Sequence, residues 1–210
     1  MKYTYQQKNT KTGGFTLIET MVAVFILTLA FAGLLTLQSS SLFNARYARN
    51  EITANYLLQE TADYIRNDRD TTAFLQKDSG GGWAAFIAKY SSCMPSSSFS
   101  SSGGCYFEPA QLLAGSGSIT QCPSNSPLFG TSTCPVLNYD PTAAYNDFYT
   151  YKTTDKTTGV ALAASDFKRQ IIMSNSANPD ELDVKITIEW QNGTLVRNRS
   201  LIITLTNWNK

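Results

Sequence analysis

The chain has 210 residues, of which 42% are hydrophobic and 16% charged, with a formal net charge of +1 and no histidine. The missing histidine removes Ser-His and Cys-His nucleophilic catalysis and histidine-based metal sites. A near-neutral balance offers no electrostatic footprint for nucleic acid, and the length suits one domain with an appendage.

Residues 1–14 form a polar leader whose charges are Lys2, Lys8 and Lys11, with no acid. Gly13-Gly14-Phe15-Thr16-Leu17-Ile18-Glu19 follows, and then an apolar run, Met21 to Leu37, without a charge. As a helix, residues 15–37 measure roughly 35 Å, enough to cross a hydrocarbon core of about 30 Å. A secretory signal has a shorter apolar core, about 7–15 residues, and would not admit Glu19. A plain signal-anchor helix would leave Glu19 without a role, at an insertion cost of about 2.5–3.5 kcal/mol for an acid at the bilayer centre. If the chain is cut between Gly14 and Phe15, the new amine supplies a cation one helical turn from that carboxylate, or reaches one on a neighbouring subunit.

The basic leader, Gly14, Phe15, Thr16-Leu17-Ile18-Glu19 and the apolar run together resemble the class III leader of type IV prepilins and pseudopilins. The resemblance implies that a prepilin peptidase cuts after Gly14 and N-methylates Phe15, and that Glu19 forms an assembly charge pair. It implies other pilin subunits, the inner-membrane assembly machinery and, before assembly, the lipid bilayer as partners. It implies no catalysis and no cofactor. Removing the leader leaves fourteen basic against sixteen acidic residues. The leader lysines place residues 1–14 on the inner side of the cytoplasmic membrane, with residues 15–37 spanning it and residues after about 40 on the outer side. From there the chain would enter an extracellular pilus or a periplasmic pseudopilus.

Gln38 to Asp68 lacks Pro and Gly and is rich in good helix formers. Phe43, Tyr47, Ala54, Leu57, Leu58, Thr61 and Ile65 recur at helical spacing. The pattern predicts one helix over 15–68, apolar all round in its first half and amphipathic in its second. Such a helix, packed on a head, resembles the N-terminal helix of type IV pilins. Many of these carry a proline in the apolar run; this chain has only Gly33 as a weak point. Arg66-Asn67-Asp68-Arg69-Asp70 reads as a solvated helix end. Trp83 to Tyr90 predicts a short helix.

Within the predicted head, 69–210, residues 91–135 are rich in Ser, Gly and Pro and read as loop. They hold Cys93, Cys105, Cys122 and Cys134, without the close spacing or histidine of a zinc site. Outside a membrane an even count points to two disulfides. Of three connectivities, loop-closure entropy favours Cys93–Cys105 and Cys122–Cys134. Asp140, Asp147 and Asp155 are too far apart for an EF-type calcium loop.

An antiparallel sheet is expected over 148–208, completing an α+β fold. Phe148 to Thr153 reads as a strand, and Phe167, Arg169, Ile171 and Met173 alternate with Lys168, Gln170, Ile172 and Ser174. In the clearest strand Leu182, Val184, Ile186, Ile188 and Trp190 share one face, implying one buried and one wet side. Asn192-Gly193 signals a hairpin. Pairing Gln191 with Thr194 would set Ile188 and Ile186 against Arg197 and Arg199. Either a bulge near Asn198–Ser200 shifts the parity, which we favour, or the arginines reach acids on the helix. The strand-turn-strand ending in Asn-Trp is similar to minor pilins of PilV type. The expected function is a minor pilin of a type IV pilus-like filament; the alternatives are a pseudopilin of a type II secretion system and a membrane-anchored exported binding protein.

Overall fold

The computed structural model describes residues 13–14, 16–76, 80–94, 103–109, 117–123, 129–140, 149–154 and 159–208. The fold is α+β. Helix α1 spans Leu17–Leu75 and α2 spans Gly82–Lys89. Six strands follow: β1 Cys105–Tyr106, β2 Thr120–Gln121, β3 Val136–Tyr139, β4 Ala163–Asn175, β5 Glu181–Asn192 and β6 Leu195–Thr206. They form one antiparallel sheet of order β2-β1-β4-β5-β6, with β3 also paired to β4. The chain forms two compact units, Met1–Arg46 and Tyr47–Lys210, which divide within α1.

In the first unit, side chains of the apolar run are exposed on all sides, from Leu17 at 78% through Phe25 and Phe31 to Leu35 at 66%. The helix continues through Gly33 without a break. The Thr28 hydroxyl donates to the Phe25 carbonyl at 2.8 Å, so this polar group of the run is satisfied within its own turn. Phe43, expected on the packed stripe, is instead exposed.

In the second unit, Ala54, Leu57, Leu58, Thr61, Ala62 and Ile65 of α1 are buried. They share one core with Leu182, Val184, Ile186, Ile188 and Trp190 of β5 and Phe167, Ile171 and Met173 of β4. The helix runs seven residues beyond its predicted end. The charged cluster there is solvated only in part: Arg66 and Asn67 are exposed. Asp68 is buried and accepts from Lys89 Nζ of α2 at 2.6 Å. Gly82 lies so close to Ala73 that a Cβ would meet its Cα at 2.8 Å. Packing of α2 therefore holds the last turns of α1. Burial, together with the neighbouring Asp68 carboxylate, pushes the Tyr90 hydroxyl far above its ordinary range.

The structure pairs Cys93 with Cys105 and Cys122 with Cys134. The region read as loop carries β1 and β2, with Cys105 opposite both Gln121 and Ile171. β3 adds a strand before the predicted start of the sheet. Around the predicted strand 148–153, Phe148 lies outside the described residues, and Thr150 forms a single bridge to Asn138.

The sheet does not have one wet face. On the side away from α1, Lys168 and Glu189 are paired across β4 and β5, and both are buried. Lys168 Nζ donates to the carbonyls of Phe129 and Ser132 at 2.8 and 3.0 Å. Glu189 accepts from the Thr131 hydroxyl at 2.8 Å and the Ser132 amide at 3.0 Å. Gly130, at φ +70°, passes against the Glu189 carboxylate where a Cβ would collide with it. The segment before Cys134 is thus clamped over the sheet by a lysine and a glutamate that alternation alone would send to water.

The β5–β6 register is continuous, with no bulge. Its turn lies at Gly193-Thr194, with Gly193 at φ +65°, so Asn192 rather than Gln191 closes the hairpin. This moves every pair by two residues and preserves parity. Ile186 now faces Leu201, and only Ile188 and Trp190 face Arg199 and Arg197. Arg199 binds the Glu51 carboxylate on α1, and Arg197 lies 6.0 Å from the Tyr47 ring. The helix supplies what the bulge was expected to supply.

Arg169 is the largest charged group in the core and is fully buried. It donates to Glu60 and Thr61 of α1 at 3.3 and 3.1 Å and to the Phe107 carbonyl at 3.2 Å, beneath the Tyr151 ring. Burial raises the Glu60 carboxyl above its ordinary value, against the pull of Arg169. The Arg169 side chain is sealed, whereas that of Glu60 is 40% exposed. The cost of breaking the pair therefore lies between the surface and buried extremes. Glu60→Ala is expected to lower unfolding free energy by about 2 kcal/mol, read by denaturant titration of the full chain in detergent. Arg169→Met, which removes the charge and refills the volume, should cost less.

Burial lowers the Lys168 pKa, and Glu189 only partly restores it. The unfolded chain therefore binds this proton more tightly than the folded one. Stability rises with pH from the depressed folded value up to the ordinary lysine range. Lys168→Met should flatten that alkaline slope in the same titration; an unchanged slope would assign it to other groups.

Candidate assembly site at the helix N-terminus

The first turn of α1 is built by local chemistry. Thr16 stands just before the helix, and its hydroxyl accepts from the Glu19 amide at 3.3 Å. The Thr16 carbonyl accepts from the amides of Glu19 and Thr20 at 3.1 and 3.2 Å. Thr16-Leu17-Ile18-Glu19 therefore has the threonine half of a capping box, Thr-x-x-Glu. That signature was legible in the sequence and was passed over in favour of the Glu19 charge. Glu19 in the first turn also answers the positive end of the helix dipole.

Glu19 is exposed, as are the apolar side chains that follow it. Gly13 and Gly14 lie in open space, with nothing within 4 Å of an added Cβ. Phe15 and the leader lysines Lys2, Lys8 and Lys11 lie outside the described residues. α1 is the one helix among the described residues long and apolar enough to cross a membrane.

Residues 9–35 match the family model of the prokaryotic N-terminal methylation motif. The match supports a type IV pilin-like protein. The motif spans the end of the leader, the Gly14–Phe15 junction, Glu19 and most of the apolar run. It is the mark of pilin and pseudopilin subunits, which are processed by prepilin peptidase and assemble with other pilins. It points to a structural subunit rather than an enzyme. With the apolar helix behind it, it fits a membrane-anchored protein. No curated protein and no solved structure matches the chain.

Of the residues singled out from the sequence, Gly14 and Glu19 stand at this pilin-like N-terminus, and the four cysteines form their bridges in the second unit. Among the described residues, no group of three or more His, Cys, Asp or Glu side chains is placed to hold a metal ion.

Thr16 has a role distinct from that of Glu19. Thr16→Ala should cost the first turn about 1 kcal/mol, raising amide exchange at Leu17–Thr20 about fivefold, while Thr16→Ser keeps it. Exchange rates equal in all three forms would deny the cap.

Proposed function

We propose that the chain is a minor subunit of PilV type in a type IV pilus-like filament. The observation that carries this reading is the methylation motif, with Glu19 in the first turn of a helix whose uncharged run from Met21 to Leu37 exposes its large apolar side chains. In the proposed sequence of events the precursor sits once across the cytoplasmic membrane, leader inside and head outside. Prepilin peptidase hydrolyses the Gly14–Phe15 bond; the new Phe15 amine then takes a methyl group from a sulfonium methyl donor, whose S–CH3 bond breaks to leave a thioether, with loss of one proton from the nitrogen. The inner-membrane assembly machinery then lifts the subunit from the bilayer into a filament.

Glu19 acts in the last step. In a bundle of apolar helices neither a carboxylate nor an ammonium is tolerated alone, and each offsets the other. A subunit enters at the height where its Glu19 meets a neighbour's Phe15 amine, so the pair sets the axial register as well as the charge balance. A pseudopilin of a type II secretion system would use the same N-terminal chemistry, and the genes beside this one distinguish the two.

Glu19→Ala tests the role. The account expects normal leader removal with filament incorporation reduced by more than about tenfold, the effect of losing one buried charge partner. Glu19→Asp should recover part of it. Wild-type incorporation of Glu19→Ala would refute the charge pair.

A further inference from the structure

The second unit presents an apolar and basic tip whose position within that unit is defined. The Trp190 ring of β5 meets Tyr47 of α1 at 6.4 Å between centroids. Arg197 lies over the same Tyr47 ring, and Arg199 binds Glu51. Further along, Arg169 meets Glu60 and Thr61, and Trp208 Nε1 donates to Asp70 at 3.0 Å. β6 therefore keeps pace with α1 from Tyr47 to Asp70. The β5–β6 turn, Gly193-Thr194, follows Trp190 by three residues and lies at the Tyr47 end of this unit. Leu195 is 47% and Val196 40% exposed there, beside the exposed Arg197. No acid occurs from Trp190 to Lys210.

We propose that this tip, Gly193 to Arg197, docks on the lipid headgroup surface while the subunit is anchored in the membrane. The inference rests on the reading that residues 15–37 span the bilayer. Covalent connection supplies the first argument. Tyr47 follows Leu37 by ten residues, which reach at most about 35 Å even when fully extended. The bilayer surface is thus present at high effective concentration whenever the chain is anchored. Chemistry supplies the second. Two exposed aliphatic side chains next to an arginine match a layer that is apolar below and anionic above. Arg46 and Arg49 extend the basic character, since the chain from Gln38 to Asn50 contains no acid. A second copy of the chain would be the other occupant, but nothing on the tip supplies an acid to answer its own arginine.

The test uses the full chain in vesicles of zwitterionic lipid, with and without anionic lipid. A nitroxide is placed at Thr194→Cys, leaving Leu195, Val196 and both native disulfides intact. Ile202→Cys, an exposed site on β6 eight residues farther on, is the control. Collision with oxygen, which partitions into lipid, is compared with collision with a water-soluble nickel chelate. Docking predicts a higher oxygen-to-nickel ratio at 194 than at 202. Arg197→Gln should lower the docked-to-undocked ratio about fivefold in anionic vesicles, the effect of one cation at such a surface. Equal ratios at the two sites would overturn docking. So would shielding at 194 from both reagents that grows with protein density, because a second copy would then be the cover. Resistance of the same sample to alkaline carbonate extraction is read separately. Loss of the protein into the wash would refute the spanning reading rather than the docking.

Discussion

A continuous helical surface of exposed Leu, Ile, Val, Phe and Met side chains is the constraint on which everything else depends. From Leu17 to Leu37 this chain covers none of them. Each such side chain left in water forgoes roughly 1.5–3 kcal/mol of burial, so the segment needs lipid or other helices around it. In the proposed assembly these are successive environments of one rod, and Glu19 distinguishes the second from the first. A carboxylate near the edge of a bilayer can reach water, but one inside a bundle needs a cation. The proposed cut after Gly14 would place a new amine four residues away in sequence.

The second unit solves a different problem with the same helix. Beyond Tyr47, one face of α1 is buried against β4, β5 and β6. Polar side chains from the strands fix how it lies there. Arg169 reaches Glu60 and Thr61, and Arg199 reaches Glu51. On the opposite face Lys168 and Glu189 hold the segment before Cys134. The Cys122–Cys134 bridge closes that segment, and Cys93–Cys105 joins the end of α2's connection to β1. Each bridge closes a loop of sequence separation 12, worth about 3 kcal/mol in the chain-entropy model.

Much of this was legible in the sequence because its cause is local. Helical periodicity marked Ala54, Leu57, Leu58, Thr61 and Ile65, and alternation marked the inward side of β5. What was missed has long-range causes. Alternation cannot tell that a segment 36 to 39 residues before Lys168, and 57 or 58 before Glu189, will cover them. The charge cluster 66–70 looked solvated because the partner of Asp68, Lys89, lies on another helix. Arg197 and Arg199 invited a bulge because the acid that accommodates Arg199, Glu51, is 148 residues away. The hairpin was placed correctly but its turn was set one residue early, since Gly193 alone supplies the left-handed backbone that both readings require. At the N-terminus the chemistry was visible in seven consecutive residues. Only the capping role of Thr16 was overlooked there.

The central claim is that a specific cut creates the cation that Glu19 awaits. Intact-mass and N-terminal fragment spectrometry of the protein purified from its own membranes tests this most directly. The account predicts a chain beginning at Phe15, carrying one methyl group on its amine and retaining the whole apolar helix. A chain still beginning at Met1, or one shortened past Leu37, would contradict it.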